Sequence, residues 1–214
     1  TRRARVPIVN PDIVDPSSIK SYADLANPAL KGKLCLRNRK SPYNQSLVAD
    51  QIILRGEAAT AKWIRGMANN VSQEFFPKDT PQVQAVGKGK CGVAVVNTYY
   101  VGRMLAGRKG EANKALAEKV KVVFPNPTHV NVSGAGVTAS SDNPQAALKL
   151  IEFLASPNAG KGYAAANLEY PVKGFGNNPI VRSWGTFTAD GVSVEQLGAK
   201  NKQAQQLMKD NGWK

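Results

Sequence analysis

The 214-residue sequence predicts an α/β fold in which helices cover both faces of a largely parallel sheet. Short, continuously apolar segments such as CGVAVVN (residues 91–97) are typical of strands that are buried on both faces. Segments with apolar residues at helical spacing alternate with these strands along the chain. Hydrophobic residues make up 42% of the sequence, which is enough to build a substantial core.

The first half of the chain contains most of the predicted strands. A strand at residues 6–9 is followed by a short capped helix and a proline-marked loop within residues 17–32, and then by a strand at 33–38. Apolar residues from Leu47 to Ile53 recur at helical spacing, and Gly56 is expected to end that helix. The remaining predictions for this half are a helix around Ala61–Met67, a strand at 73–77, a helix capped by Thr80 with Pro81 in its first turn, and the strand 91–97.

The pattern changes from about residue 120 onward. Polar and apolar residues alternate around THVNVSGAGVT (128–138), and two helices are predicted at 143–156 and 158–170. A segment rich in glycine and proline follows at 171–187. The chain closes with an amphipathic helix that begins near Ser193 and ends at Gly212.

The charge balance favours acidic partners, since 29 Lys and Arg residues stand against 15 Asp and Glu residues, for a formal charge of +14. The basic residues are scattered and lack interleaved aromatic residues, so a solvated basic surface is the simpler interpretation. A basic nucleic-acid-binding module is therefore a distant alternative, and we expect no nucleic-acid partner. No apolar run approaches the roughly 18 residues of a membrane span, and no leader with a cleavage site opens the chain, as in a mature secreted protein.

The two cysteines, Cys35 and Cys91, each lie in a predicted buried strand. If these strands are neighbours, the thiols could form one disulfide in an oxidising compartment, but two buried free thiols fit the sequence equally well. The only histidine, His129, is more typical of a structural residue than of a ligand. No serine or cysteine nucleophile motif accompanies it, so the sequence does not predict an enzyme.

Two neighbouring tyrosines, Tyr99 and Tyr100, follow the strand 91–97 directly. Successive side chains of a strand point to opposite faces, so these two phenols can converge only if the backbone has already turned into a helix. On such a helix Arg103 would project near them. Tyr43 stands at the other strand-to-helix junction of the predicted sheet, and ligands bind at such junctions.

Three deprotonated phenols would suit a hard trivalent cation and would neutralise one Fe³⁺ ion, with Arg103 adjusting the field from outside the ligand shell. The competing interpretation is one packed ring and one half-exposed ring with no metal. A second competing hypothesis is a protein that binds an anion or a small organic solute with Arg103, Asn97 and the start of a helix at Asn44–Ser46, where free N–H groups could hold an anion.

The strings YNQSLVAD, CGVAVVNTYYVGRM, THVNVSGAGVT, LIEFLASP and YAAANLEYPV resemble the ferric-iron-binding periplasmic proteins of iron ABC transporters, in particular the cyanobacterial-type branch. The resemblance runs over essentially the whole chain. It implies a type II periplasmic-binding-protein-like fold with two lobes. It also implies Tyr43, Tyr99 and Tyr100 as Fe³⁺ ligands, and an inner-membrane ABC permease as the partner that receives the ion in the periplasm. Tyr43 should make a bound anion unnecessary, although water or carbonate could complete the coordination.

The sequence departs from that family at its beginning, where family members have a strand and loop that provide a His or Tyr ligand from the amino-terminal lobe. The alignment implies that residues 1–122 and 177–214 form the carboxy-terminal lobe, and that residues 123–176 are a remnant of the amino-terminal lobe with its crossovers. We therefore expect a monomeric fragment of a longer protein, or a second chain that supplies the remaining half.

Overall fold

The computed structural model describes residues 1–214 as a five-stranded sheet with helices on both sides. The strands are β1 Arg2–Val9, β2 Leu34–Cys35, β3 Val93–Asn97, β4 Lys121–Val122 and β5 Val130–Val132. The helices are α1 Pro42–Arg55, α2 Glu57–Asn70, α3 Asp79–Gly87, α4 Thr98–Leu105, α5 Glu111–Glu118, α6 Pro144–Ala155, α7 Pro157–Asn167, α8 Pro179–Ser183 and α9 Val194–Asp210. Three short 3₁₀ helices, Pro16–Ser18, Tyr22–Ala26 and Pro28–Leu30, lie between β1 and β2.

The sheet is mixed, so the prediction of a largely parallel sheet is wrong. Its order is β2-β3-β1-β4, and β5 pairs with the beginning of β1. Only β2 and β3 run parallel, whereas β1 is antiparallel to β3, β4 and β5. The continuously apolar sequence of β3 correctly indicated burial on both faces, but that pattern does not fix strand direction, because an antiparallel strand covered on both sides is equally apolar.

Strand lengths also differ from the sequence prediction. β1 begins at Arg2 rather than at residue 6, since its arginines obscured the apolar pattern, and Arg5 is nevertheless fully buried. β2 has two residues rather than six. The segment 73–77 is no strand, because Phe76 forms only an isolated bridge with Arg37.

The helix predictions are mostly confirmed. Gly56 ends α1 with a positive φ of 81°, a conformation that glycine adopts without strain, and α2 follows at once. α1 begins earlier than its apolar spacing suggested, with Pro42 at a first-turn position where proline is favoured. The single helix expected within residues 17–32 is replaced by the three 3₁₀ helices, and α3 is capped by Lys78 rather than by Thr80.

The core has a large layer on each face of the sheet because neighbouring strand residues point to opposite sides. Val93 and Val95 of β3 belong to a cluster of 22 buried residues that includes α1, α2 and α9. Ala94 and Val96 belong to a second cluster of 12 residues that includes α3 and α4. No helix of the structure combines the length and apolarity that a bilayer-spanning segment needs.

Cys35 and Cys91 form a disulfide, with their Cα atoms 5.9 Å apart. Both residues are buried, and the chain has no other cysteine. The sequence left free thiols and a disulfide open, and the structure selects the disulfide. It joins β2 to the loop that enters β3, and these are the two parallel strands of the sheet.

Gly87 lies where α3 packs against α5. A Cβ atom at this position would overlap the backbone carbonyl oxygen of Leu116 and lie 2.9 Å from its Cβ. We expect Gly87→Ala to lower the free energy of unfolding by about 1–3 kcal/mol, because neither backbone can yield without disturbing the packing. Urea denaturation measures this loss.

The matched control is Gly198→Ala on the exposed side of α9, where a Cβ atom would meet nothing within 4 Å. This change should stabilise the protein by up to about 1 kcal/mol through helix propensity alone. Equal effects of the two substitutions would contradict the packing of α3 against α5.

Candidate functional site

The three tyrosines singled out from the sequence lie at one edge of the sheet. β2 and β3 are parallel neighbours, with Leu34 opposite Val93, so their carboxyl ends meet at the same edge. α4 follows β3 without a loop and has Tyr99 and Tyr100 as its second and third residues. α1 follows β2 after a short loop and has Tyr43 as its second residue.

The phenols converge as the sequence analysis required. The hydroxyl oxygens of Tyr43 and Tyr99 are 3.4 Å apart. The rings of Tyr99 and Tyr100 stack with their centroids 4.3 Å apart and their planes 30° from parallel. Tyr99 is 5% exposed, while Tyr43 and Tyr100 are partly exposed, so the cluster reaches the surface. We call these three residues the tyrosine cluster.

Burial raises the pKa of Tyr99 well above its usual value, and the neighbouring phenols of Tyr100 and Tyr43 raise it further. Each neighbour acts in the same direction because two phenolates side by side repel one another. The hydroxyl of Tyr99 therefore keeps its proton at neutral pH unless a cation compensates the negative charge. A metal ion that bound here would have to displace protons.

Four arginines surround the tyrosine cluster. The guanidinium carbon of Arg103 lies 4.6 Å from the centroid of the Tyr99 ring, which confirms that Arg103 projects beside the phenols. The guanidinium carbons of Arg3, Arg5 and Arg37 lie 5.6, 5.8 and 5.4 Å from the centroid of the Tyr43 ring. These positive charges favour negative charge on the oxygens between them.

Arg5 links the starts of the two helices that carry the tyrosines, a role that the sequence analysis missed. Its buried guanidinium donates to Asn97, the residue before α4, at 3.1 Å, and to the side chain of Asn44, the neighbour of Tyr43. It also forms a salt bridge of 3.0 Å with Asp79, which is fully buried. Arg37 donates to the other carboxylate oxygen of Asp79. The signal available in the sequence was the charged Arg5 between Ala4 and Val6, directly before the apolar run of β1.

The helix start at Asn44–Ser46 does not have the free donors that an anion site was predicted to use. The backbone N–H groups of Asn44 and Gln45 both donate to the carbonyl oxygen of Ser41. The side-chain amide nitrogen of Asn44, Nδ2, donates to the backbone carbonyl oxygens of Arg37 and Asn38. These groups are engaged within the protein, so that part of the competing hypothesis is wrong.

His129 is buried, and each of its ring nitrogens contacts a side chain. Its Nδ1 lies 2.7 Å from Asp190, its Nε2 lies 2.9 Å from Ser46, and its backbone N–H donates to Tyr22. Asp50, whose Oδ1 lies 3.8 Å from His129 Nδ1, is also buried. Burial raises the pKa of Asp50 to about 6, although the charge of His129 opposes this. Burial would also raise the pKa of Asp190, but the hydrogen bond and charge of His129 outweigh it and hold that pKa below its usual value.

Comparison with known families adds an observation that is independent of this geometry. Residues 3–189 match the family described as bacterial extracellular solute-binding protein. The chain belongs to this family. The resemblance seen in the sequence is thereby confirmed at the level of the family.

Curated relatives of this solute-binding protein include proteins named for iron. Iron uptake protein A1 of Synechocystis sp. is 42% identical, and the match covers 100% of this chain and 61% of the relative. The major ferric iron-binding protein of Neisseria meningitidis serogroup B is 30% identical over 91% of this chain and 58% of the relative. A spermidine/putrescine-binding periplasmic protein of Escherichia coli is 28% identical over 76% of this chain and 45% of its own length. The chain thus spans about three fifths of the length of the iron-named relatives.

Solved structures of iron-bound proteins have the same fold as this chain. The IdiA/FutA protein of Trichodesmium, in complex with iron and citrate ligands, superposes with a TM-score of 0.94 at 36% identity, over 100% of this chain and 69% of that protein. The iron-bound HitA protein of Pseudomonas aeruginosa superposes with a TM-score of 0.82 at 26% identity, over 99% of this chain and 68% of that protein. The predicted α/β fold of the periplasmic-binding-protein type is confirmed.

Proposed function

We propose that this chain is part of the solute-binding component of an iron ABC transporter, and that it binds Fe³⁺ through Tyr43, Tyr99 and Tyr100. The observation that carries the proposal is the convergence of three phenols from two helix starts, with two hydroxyl oxygens 3.4 Å apart. The names of the relatives support it, since Synechocystis and Neisseria proteins that align with most or all of this chain are named for iron uptake or ferric iron binding.

Fe³⁺ suits the tyrosine cluster better than a softer or less charged metal. Phenolate oxygens are hard anionic ligands, and three of them neutralise one trivalent ion. The raised pKa of Tyr99 means that its phenol loses the proton only when a strongly charged cation replaces it. Arg103, packed on the face of the Tyr99 ring, would stabilise the phenolate from outside the ligand shell.

Three phenolates leave coordination positions of Fe³⁺ open. We expect water, carbonate or another small anion to fill them, because the surrounding arginines favour negative charge. The Trichodesmium relative is described with both iron and citrate, which is compatible with an anion beside the metal in this protein.

We infer a two-lobe organisation in which residues 1–122 and 177–214 form one lobe, and residues 123–176 provide part of the other together with the crossovers, of which β5 pairs with β1. Helix α6, which lies within residues 123–176, has no buried residue, and its Leu150 and Phe153 are 56% and 63% exposed. An apolar helix face of this kind is typical of a surface against which more polypeptide packs. The remainder of that lobe, in the same chain or in a second chain, is the proposed occupant.

The family and the disulfide support the proposed transport role. Disulfides persist in oxidising compartments, so the bond between Cys35 and Cys91 supports a periplasmic location. Closure of the two lobes over the ion, by a hinge at the crossovers, would shield Fe³⁺ from water until an inner-membrane permease receives it. This function is binding and delivery, not catalysis.

The proposal is tested by titration calorimetry with Fe³⁺ supplied as its citrate complex, with phosphate and sulfate as comparison ligands. We expect one Fe³⁺ bound per chain, with a visible absorption band from the ferric phenolates, and no comparable heat with either anion. Tight binding of an anion without iron would favour the second candidate function, an anion or organic-solute carrier, which the arginines around Tyr43 support. The same arginines argue against a polyamine cargo, which is a polycation.

Fe³⁺ affinity should fall as the pH is lowered. The raised pKa of Tyr99 keeps its phenol protonated in the free protein, so ligation of Fe³⁺ releases that proton and acid drives the ion off. If all three phenols ligate, the logarithm of the dissociation constant should rise by up to about three per pH unit, after correction for iron hydrolysis and for buffer or citrate competition. A pH-independent affinity would contradict phenolate ligation.

A further inference from the structure

A second cluster of potential ligands lies away from the tyrosine cluster. Asp50 comes from the middle of α1, His129 from the residue before β5, and Asp190 from the loop before α9. Asp50 is seven residues beyond Tyr43 on the same helix, which is about 10 Å along its axis at 1.5 Å per residue. The site therefore stands independently of the proposed iron function.

The donor atoms of these residues are close together. His129 Nδ1 is 2.7 Å from Asp190 Oδ2 and 3.8 Å from Asp50 Oδ1, and one donor atom from each residue lies within 4.8 Å of the other two. Metal–nitrogen and metal–oxygen bonds of about 2.0–2.2 Å place the ligands of a tetrahedral ion roughly 3.3–3.6 Å apart. Small adjustments of the side chains would bring all three donors to such an ion.

The charges of the cluster are not balanced. Two carboxylates lie in the interior, with the side chains of Asp50 and Asp190 only 1% and 4% exposed, and both pair with the single imidazole of His129. The structure gives neither carboxylate another ion-pair partner among residues 1–214. Buried carboxylates need compensating charge, and one imidazole supplies at most one positive charge.

An unpartnered atom points into the cluster. Asp50 is fully buried, and its Oδ1 atom, which faces His129, has no hydrogen-bond partner. Its other oxygen accepts a hydrogen bond of 2.9 Å from the side chain of Gln51, which orients the carboxylate. A buried acceptor without a donor calls for an explanation, and a cation held jointly with His129 and Asp190 is the one that we pursue.

We propose that Asp50, His129 and Asp190 form a second cation site, which takes a divalent ion such as Zn²⁺. One imidazole and two carboxylates are a donor set that Zn²⁺ accepts. Ser46 Oγ lies 2.9 Å from His129 Nε2, so the ring can donate its proton to the hydroxyl and present Nδ1 to the metal. A divalent ion balances the two carboxylates with a neutral imidazole.

A bound ion would link three elements that are distant in sequence. It would fix the helix that bears Tyr43 to the segment entering β5 and to the loop before α9. Binding to the folded state alone stabilises that state by mass action, so Zn²⁺ should raise the melting temperature.

The test uses protein freed of metal with a chelator and titrated with Zn²⁺ at slightly alkaline pH by calorimetry, together with thermal melting. We expect one Zn²⁺ per chain and a melting temperature several degrees higher. Asp50→Asn and Asp190→Asn should each weaken Zn²⁺ binding by more than about 100-fold, beyond what loss of an outer-shell partner costs. The control Asp142→Asn, at an exposed position, should bind Zn²⁺ as the unaltered protein does.

The double variant Tyr99→Phe and Tyr100→Phe should also keep Zn²⁺ binding, which separates this site from the tyrosine cluster. Circular dichroism shows whether the two asparagine variants fold, and the titration of the unaltered protein is decisive without them. If that protein binds no Zn²⁺, a proton shared by the carboxylates neutralises the cluster and the proposal is wrong. Equal Zn²⁺ affinity in the unaltered protein and folded Asp190→Asn would also overturn it.

Discussion

Replacement of both Tyr99 and Tyr100 by phenylalanine is expected to abolish the visible absorption of the ferric protein. The change removes two anionic oxygens and leaves the stacked rings in place, so the fold should survive. Fe³⁺ affinity should fall by more than about 100-fold, since loss of a direct ligand exceeds the effect of losing an outer-shell partner. Absorption spectroscopy during Fe³⁺ titration measures both effects.

The matched control for this variant is Tyr163→Phe. Tyr163 lies on α7, is 51% exposed and forms no hydrogen bond or ring contact with the tyrosine cluster. The Tyr163→Phe variant should have the same visible absorption and the same Fe³⁺ affinity as the unaltered protein. Retention of the visible band in the double variant would show that the ligands lie elsewhere.

Removal of the disulfide should cause the largest loss of stability. The bond closes a loop with a sequence separation of 56 residues, and the loss of chain entropy in the unfolded state predicts a contribution of about 4 kcal/mol. The double variant Cys35→Ala and Cys91→Ala should therefore unfold at a markedly lower urea concentration. Alanine avoids placing two unpaired hydroxyl groups in the buried site.

Urea unfolding of the unaltered protein with and without a thiol reductant provides the comparison. Reduction and substitution should lower the free energy of unfolding by similar amounts, because both remove the same cross-link. A loss below about 1 kcal/mol in both experiments would contradict a stabilising bond between β2 and the loop that enters β3.

The convergence of the tyrosines was predictable because it depends on local geometry. The strand 91–97 runs directly into a helix, so Arg103 had to lie about one turn beyond Tyr99 and Tyr100. The position of Tyr43 beside them required only that two parallel strands be neighbours, which they are. The motifs around these residues also identified the family correctly.

The strand order, the burial of Arg5 and the cluster of Asp50, His129 and Asp190 depend on contacts between distant parts of the sequence, which no local pattern shows. The central position of β1 and its antiparallel direction are set by pairing with β3, about 90 residues later. Arg5 is buried in that strand beside Asp79, with which it forms a salt bridge across 74 residues of sequence. The cluster of Asp50, His129 and Asp190 combines residues from three distant segments. The sequence shows His129 as an isolated histidine, and it does not show that two aspartates lie beside it. The lobe boundaries at residues 122 and 177 remain predictions.

Anomalous diffraction at the iron absorption edge, from crystals of the Fe³⁺-loaded protein, tests the central claim most directly. We predict one strong peak within bonding distance of the hydroxyl oxygens of Tyr43, Tyr99 and Tyr100. A peak away from these oxygens, or at the cluster of Asp50, His129 and Asp190 instead, would contradict the assignment of the tyrosines as the iron ligands.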